Sequence, residues 1–334
     1  MTLPSPESHH AAVDHKQHHA EAIGASIVHP AASSIEMPVF DVAGVDPRHV
    51  TAINAEMRRR QEILVSLRTN EEGINLQRVY SHLERIGMRP RPIFILDEDE
   101  YGRAVSLAAS SDTNESHGKF LTAMGVSIVR RDPLVERLNG GPEVIEGTAI
   151  HEGIHGTGTT AVGIRTQTQK RIFRGAEVTV EPYKKRSGYI HVLPDGQVQG
   201  LLIEEGNAEY ERGKYVKEVL GRPEGFTKPG DYSGRLAKYT CLDADKNGQP
   251  QLALAEGVIG ALILELLIEH DPTLLTTLRE DRSSAEPGLE LKDHMDEIVP
   301  GLYDKVNILD IKTNQGQAEA TEMVGQVKRH LDKF

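Results

Sequence analysis

Residues 142–158 read Pro-Glu-Val-Ile-Glu-Gly-Thr-Ala-Ile-His-Glu-Gly-Ile-His-Gly-Thr-Gly. Proline suits the first turn of a helix, and Gly156-Thr157-Gly158 stops one, so a helix is expected from about Pro142 to His155. Inside it, His151-Glu152-Gly153-Ile154-His155 is an H-E-x-x-H pattern. Four residues advance an α-helix by about 400°, so the two imidazoles stand on one face, one turn apart, and both can reach a single cation. Glu152 is offset around the helix and can touch a water on that cation without being a ligand. Ile145, Ile150 and Ile154 give the helix apolar contacts, while Gly147, Ala149 and Gly153 allow close packing. One Zn2+ per chain is the expected cofactor. It lowers the pKa of water to about 7, and Glu152 is placed to accept the proton as general base.

Two histidines leave a catalytic zinc short of the three protein ligands it usually has. His155 is followed by Gly-Thr-Gly-Thr-Thr, so a third histidine in the H-E-x-x-H-x-x-G-x-x-H style is absent. Downstream lies Glu204-Glu205-Gly206-Asn207-Ala208-Glu209-Tyr210. Together the two stretches, about Ile145–Thr157 and Leu201–Tyr210, resemble the gluzincin class of zinc metallopeptidases, in which a Glu on a second helix completes the site. The resemblance implies a zincin-like fold, zinc ligands His151, His155 and Glu205, and hydrolysis of peptide bonds. Glu204 is the rival third ligand. Glu205, Ala208 and Glu209 fall on one helical face, so Glu209 can back a ligand histidine from outside the metal's own shell. Gly206 and Ala208 are small enough to let this helix approach the histidine helix. Leu201–Ile203 just before the acids argues that the turn is buried. In resembling enzymes a Tyr or His also steadies the oxyanion; the candidates are Tyr189, His191, Tyr210, Tyr232 and Tyr239. Gly125–Val129, ahead of the histidine helix, is either a substrate-binding edge strand of the kind zincin folds have, where a peptide could pair by strand addition, or a plain core strand.

Working outward, residues 1–45 form a head rich in His, Pro, Ala and Ser, with His9, His10, His15, His18 and His19, and are expected to be a disordered tail. Residues 46–334 then form the zincin-like domain, as an N-terminal sublobe (46–158) and a hairpin-plus-helical sublobe (159–334). Asp46-Pro47 opens a helix to Arg68, and Leu76–Ile86 is a second. Arg91–Leu96 and Gly125–Val129 read as strands. Glu177–Val180 and Gly188–Val192 read as further strands, and Pro194-Asp195-Gly196 as a hairpin turn. Leu201–Leu220, Gln251–His270 and Pro272–Arg279 read as helices. Strands first and helices last indicate an α+β fold: a small sheet, an active-site helix, then a mainly helical C-terminal subdomain.

Composition narrows the function classes. The 334 residues carry a formal charge of −12, against a general nucleic-acid-binding role. The single cysteine, Cys241, excludes a disulfide framework and a cysteine-based zinc cluster. No stretch reads as an export signal or a membrane span, since Glu256, Glu265 and Glu269 punctuate the most apolar run, Gly257–Ile268. The expectation is a cytoplasmic protein acting on a peptide or protein substrate, without nucleic-acid or membrane partners. The basic interval Lys170, Arg171, Arg174, Lys184, Lys185 and Arg186 is a solvated loop or a seat for an acidic substrate group. The competing reading of the whole chain is a zincin-scaffold regulatory or interaction protein that serves one partner.

Overall fold

A computed structural model describes residues 35–43, 45–108, 116–171, 175–221, 240–244, 250–254, 257–309, 311 and 313–334; within 165–181 and 240–254 only the backbone is described. The chain forms an α+β fold. Strand β1 (Val39–Asp41) precedes helix α1 (Pro47–Val65), where Asp46 accepts from the Arg48 N–H as N-cap and Pro47 takes the first position. Helix α2 (Leu76–Arg85), strand β2 (Ile93–Leu96), helix α3 (Glu98–Leu107), strands β3 (Gly118–Leu121) and β4 (Val126–Arg130), and helix α4 (Pro133–Leu138) lead to α5 (Glu143–Thr157), the H-E-x-x-H helix. Strands β5 (Thr160–Arg171), β6 (Gly175–Ser187), β7 (Ile190–Val192) and β8 (Val198–Gln199) follow. Helix α6 (Leu201–Glu218), the pair β9 (Thr240–Ala244) and β10 (Pro250–Leu254), and helices α7 (Val258–His270), α8 (Leu274–Asp281), α9 (Leu289–Ile298), α10 (Leu302–Asn307) and α11 (Asn314–Leu331) complete it.

Three strands hold the histidine helix from below, in the order β2-β4-β3, with β2 parallel and β3 antiparallel to β4. Side chains alternate across this sheet, as the pleat requires. Phe94, Leu96, Val126 and Ile128 face a core shared with Met57 and Leu64 of α1 and Tyr101 of α3. Ile93, Ile95 and Val129 face α2 and α5, meeting Leu83, Ile145, Ile150 and Ile154. A separate core joins Leu201–Ile203 of α6 to α7, α8, α9, α10 and α11. Helix α6 therefore belongs to both halves, since Ala208, Tyr215 and Val216 pack into the α5 core.

Several sequence expectations need correction. The strand at Gly125–Val129 exists as β4, but it lies between β2 and β3, so its hydrogen-bonding edges are taken; β2 and β3 are the edge strands, and among the described residues β3 pairs with β4 alone. Order also begins before Asp46. Ile35 is buried in the α1 core, its carbonyl accepts from Arg58 Nη1 at 2.8 Å, and β1 pairs in parallel with β5. The rest of the His-rich head, 1–34, lies outside the described residues. The helix expected over Gln251–His270 starts only at Val258, because residues 250–254 pair antiparallel with 240–244. The hairpin at Pro194-Asp195-Gly196 is present: β7 and β8 pair, and the Leu193 N–H donates to the Gln197 carbonyl at 2.8 Å. Gly206 does not face the histidine helix. A Cβ on it would stand 2.5 Å from the Gly260 carbonyl carbon, so its smallness serves contact between α6 and α7. Most of the apolar run Gly257–Ile268 is α7, largely buried, and no helix among the described residues is long and apolar enough to cross a membrane.

Candidate metal centre

Helix α5 presents His151 and His155 on the face turned toward α6, and α6 answers with Glu205. His155 Nε2 lies 3.0 Å from His151 Nε2, and Glu205 Oε2 lies 3.3 Å from His151 Nε2 and 3.5 Å from His155 Nε2. Each residue offers one ligand atom, and the three atoms lie within 4.8 Å of one another, a group that could hold a metal ion. The spacing can be tested against coordination chemistry. Donors bound about 2.0–2.1 Å from a tetrahedral cation stand about 3.3 Å apart, which is the spacing found here.

Each histidine is backed by its own carboxylate. His155 Nδ1 lies 2.9 Å from Glu204 Oε1; a carboxylate can only accept, so a proton sits on Nδ1 and Nε2 is the nitrogen turned toward His151 and Glu205. His151 Nδ1 lies 2.8 Å from Glu209 Oε1, a close contact that falls off the hydrogen-bond line. The backing acids are themselves neutralised. Arg212 Nε donates to Glu209 Oε2 at 2.8 Å, and Arg282 Nε donates to Glu204 Oε2 at 2.9 Å. The Tyr189 N–H adds a bond to Glu204 Oε2 at 3.1 Å.

This leaves an uneven charge. Glu152, Glu204, Glu205 and Glu209 face the Arg212 and Arg282 guanidiniums and the Lys184 ammonium, so the cluster stays negative overall when the imidazoles are neutral. Burial opposes every charge here, yet Glu205 and Glu204 lift the His155 imidazole to about 9, and Glu205 and Glu209 lift His151 well above its ordinary value. In turn the imidazoles hold Glu205 well below the usual carboxylate range despite its burial. Glu204, against the same burial, sits at about 2 because Arg282 and His155 face it. A dication that displaces the imidazole protons matches this field.

Glu152 is 7% exposed, and burial holds its carboxyl above the ordinary value even though both histidines are near. Ser127 Oγ of β4 donates to the Glu152 carbonyl at 2.9 Å, which fixes this turn of α5 on the sheet. The edge strand β3 runs directly beside the carboxylate. A Cβ on Gly118 would lie 2.6 Å from Glu152 Cγ and 2.8 Å from its Oε1.

The structure brings His151, Glu152, His155, Glu205 and Glu209 together, and Glu204 beside them faces His155 Nδ1 and Arg282. The oxyanion candidates stand differently. The Tyr189 phenol is buried and donates to the Leu278 carbonyl at 2.7 Å. Tyr210 packs beside Val258 and Ala261 of α7. His191 lies on β7, where partial burial and the neighbouring Arg186 and Lys185 lower its pKa. Tyr232 and Tyr239 lie outside the described residues. Of the basic interval, Lys185 pairs with Asp41 and Arg186 Nη1 donates to the Ala285 carbonyl at 3.2 Å, so both are engaged within the fold; the side chains of Lys170, Arg171 and Arg174 lie outside the description. Sequence reasoning missed Arg212, Arg282 and Gly118. Arg212 was findable, being three residues beyond Glu209 on the same helix. Arg282 carried no signal, since 78 residues separate it from Glu204.

Comparison with protein-family models, with curated proteins and with solved structures finds no match to this chain.

Proposed function

We propose that this chain is a zinc-dependent peptidase of gluzincin type on a zincin-like fold, with a peptide or protein as substrate. The observation that carries this reading is the meeting of the His151, His155 and Glu205 ligand atoms from two helices, with Glu152 beside them. When bound, zinc supplies Lewis acidity, polarising a carbonyl and making water acidic near neutral pH. The protein's own residues do the rest. His151, His155 and Glu205 would hold the ion, with Glu209 and Glu204 orienting the imidazoles. Glu152 takes a proton from water and delivers it to the leaving amine; its burial makes it a stronger base than an exposed carboxylate. Strand β3 offers to an extended peptide the edge that no described strand pairs, and Gly118 keeps the space over Glu152 clear of side chain.

One observation favours a second reading, a scaffold that holds the metal and serves a single partner with little general proteolysis. The Tyr189 phenol and the Tyr210 ring are both packed away from the metal group. The test is a peptide-library digest with the wild-type chain, with and without a chelator, and with Glu152→Gln. Chelator-sensitive cleavage that disappears in Glu152→Gln while the metal stays bound supports the peptidase. Full activity in that variant refutes the role of Glu152, and no cleavage by the metal-loaded wild type favours the scaffold.

A further inference from the structure

Arg282, the residue just past α8, is 1% exposed, and a cation so deeply buried needs partners for all of its donors. Its Nε donates to Glu204 Oε2 at 2.9 Å and its Nη2 to Glu204 Oε1, so one planar group grips both oxygens. Its Nη1 donates to Thr157 Oγ1 at 2.6 Å, at the last residue of the histidine helix. The chain clears space for this clamp. A Cβ on Gly188 would lie 2.3 Å from Glu204 Oε2 and 2.8 Å from Arg282 Nε, and one on Gly158 would lie 2.9 Å from Arg282 Cζ. The segment around Arg282 is pinned as well. The Thr159 N–H donates to the Arg282 carbonyl at 3.3 Å, and Thr159 Oγ1 donates to the Ser284 carbonyl at 2.9 Å.

We propose that Arg282 is a positioning residue of the metal centre, locking Glu204 so that His155 keeps Nδ1 toward the carboxylate and Nε2 toward the ion. The proposal rests on the reading of His151, His155 and Glu205 as a metal site. An imidazole can present either nitrogen, and the bond made by one decides what the other offers. Glu204 can set that choice only while its own orientation is fixed, and the fixing group comes from the C-terminal helices. A second pair on the same two helices supplies the contrast. Arg279 Nε donates to the buried Glu211 Oε1 at 2.8 Å, one turn of α8 earlier. Unlike Glu204, Glu211 backs neither ligand histidine. If Arg282 merely braced the fold, losing either arginine would leave the metal site equally affected.

The test uses the full chain as wild type, Arg282→Gln, Arg282→Lys and Arg279→Gln, each confirmed folded by circular dichroism. Zinc affinity is measured by competition with a chelator, and the coordination geometry by the visible absorption of Co2+ loaded in place of zinc. The expected result is wild-type affinity and spectrum for Arg279→Gln. Arg282→Gln should bind zinc about 10- to 100-fold more weakly, with an altered Co2+ spectrum. Arg282→Lys keeps the charge but cannot grip two oxygens in a plane, so it should fall between, and it carries the comparison if Arg282→Gln does not fold. Unchanged affinity in the Arg282 variants, or equal weakening in Arg279→Gln, overturns this proposal alone. A wild-type chain that binds no zinc overturns the metal-site reading and this proposal with it.

Discussion

Gly118→Ala should separate metal binding from catalysis. The added methyl group would stand 2.6 Å from Glu152 Cγ, whereas ordinary contact begins at 3.4 Å, so the carboxylate or the strand must give by about 0.8 Å. Strand β3 is paired with β4 along its length, with Gly118 opposite Val129, so the less resisted movement is that of the Glu152 side chain. The three atoms nearest the methyl group all belong to Glu152. Gly118 has an ordinary backbone conformation, since it is absent from the positive-φ glycines, and alanine adds no backbone strain there. Overpacking of this size costs about 1–3 kcal/mol of stability, and displacement of a catalytic group by about 1 Å can cost about 100-fold in rate. The expectation is therefore a folded protein with one equivalent of zinc and peptide turnover reduced about 100-fold. Elemental analysis and chelator-controlled cleavage of a peptide library measure the two quantities on the same sample. Wild-type turnover in Gly118→Ala would show that the Glu152 carboxylate does not need its place beside β3, and the role assigned to it would fall.

Two further expectations concern stability rather than turnover. His82 is 3% exposed, accepts at Nδ1 from Arg85, and is held at about 4 by burial and by the positive Arg85, Arg279 and Lys214. The unfolded chain protonates it near 6.5, so its contribution is complete above that pH and is lost as pH falls toward about 4, by about 3 kcal/mol in total. Urea unfolding of wild type and His82→Gln between pH 4 and 7 should show the difference in slope; parallel curves would contradict it. Glu146 is fully buried, where it accepts from Arg78 Nη2 at 2.8 Å, the Asn75 N–H at 3.0 Å and the Tyr215 hydroxyl, tying α5 to α2 and α6. Breaking a buried pair costs about 3–5 kcal/mol, and the partial exposure of Arg78 lets it regain water, so Glu146→Ala should lose about 3 kcal/mol in urea unfolding while keeping its metal. A loss below about 1 kcal/mol would show that the triple contact contributes little.

What could be read from the sequence follows the range of the forces involved. Helices α1 and α2 were legible because their signals are local, as at the Asp46-Pro47 start of α1. The β7–β8 hairpin was legible because its turn is written in three consecutive residues. Strand β5 was not, since Thr166-Gln167-Thr168-Gln169-Lys170 contains no apolar residue and so lacks a two-residue hydrophobic period; its partner β6 supplies the pairing. The 250–254 strand was lost in an apolar run that continues into α7, because periodicity cannot tell a short buried strand from the start of a helix. The order of β2, β4 and β3 depends on non-local pairing, so the sequence left 125–129 open between an edge strand and a core strand, and the core position is the one observed. At the site, the histidines and Glu152 were legible because four residues of helix determine their geometry. Arg282 was not, because its partner is fixed only when α8 packs against α6.

The choice between Glu204 and Glu205 turns on what each acid is left to do. Consecutive residues on a helix diverge by about 100°, so the two carboxylates cannot serve one function together. Glu204 spends both oxygens on Arg282, the Tyr189 N–H and His155 Nδ1. Glu209, one turn beyond Glu205, is neutralised by Arg212 and lies against His151 Nδ1. Glu205 alone of the three has imidazoles rather than a guanidinium as its main charge partners. Those imidazoles turn their Nε2 atoms toward it, which is a sensible arrangement only if something positive lies among the three groups: protons in the empty protein, or a single dication that replaces them. The arginines behind Glu204 and Glu209 have a consequence for that choice. By neutralising Glu204 and Glu209 they prevent the cluster from accumulating four uncompensated carboxylate charges, and they leave Glu205 as the acid whose charge faces the imidazoles. The placement of one arginine in α6 and another just past α8 thus shapes the charge around the His151, His155 and Glu205 group.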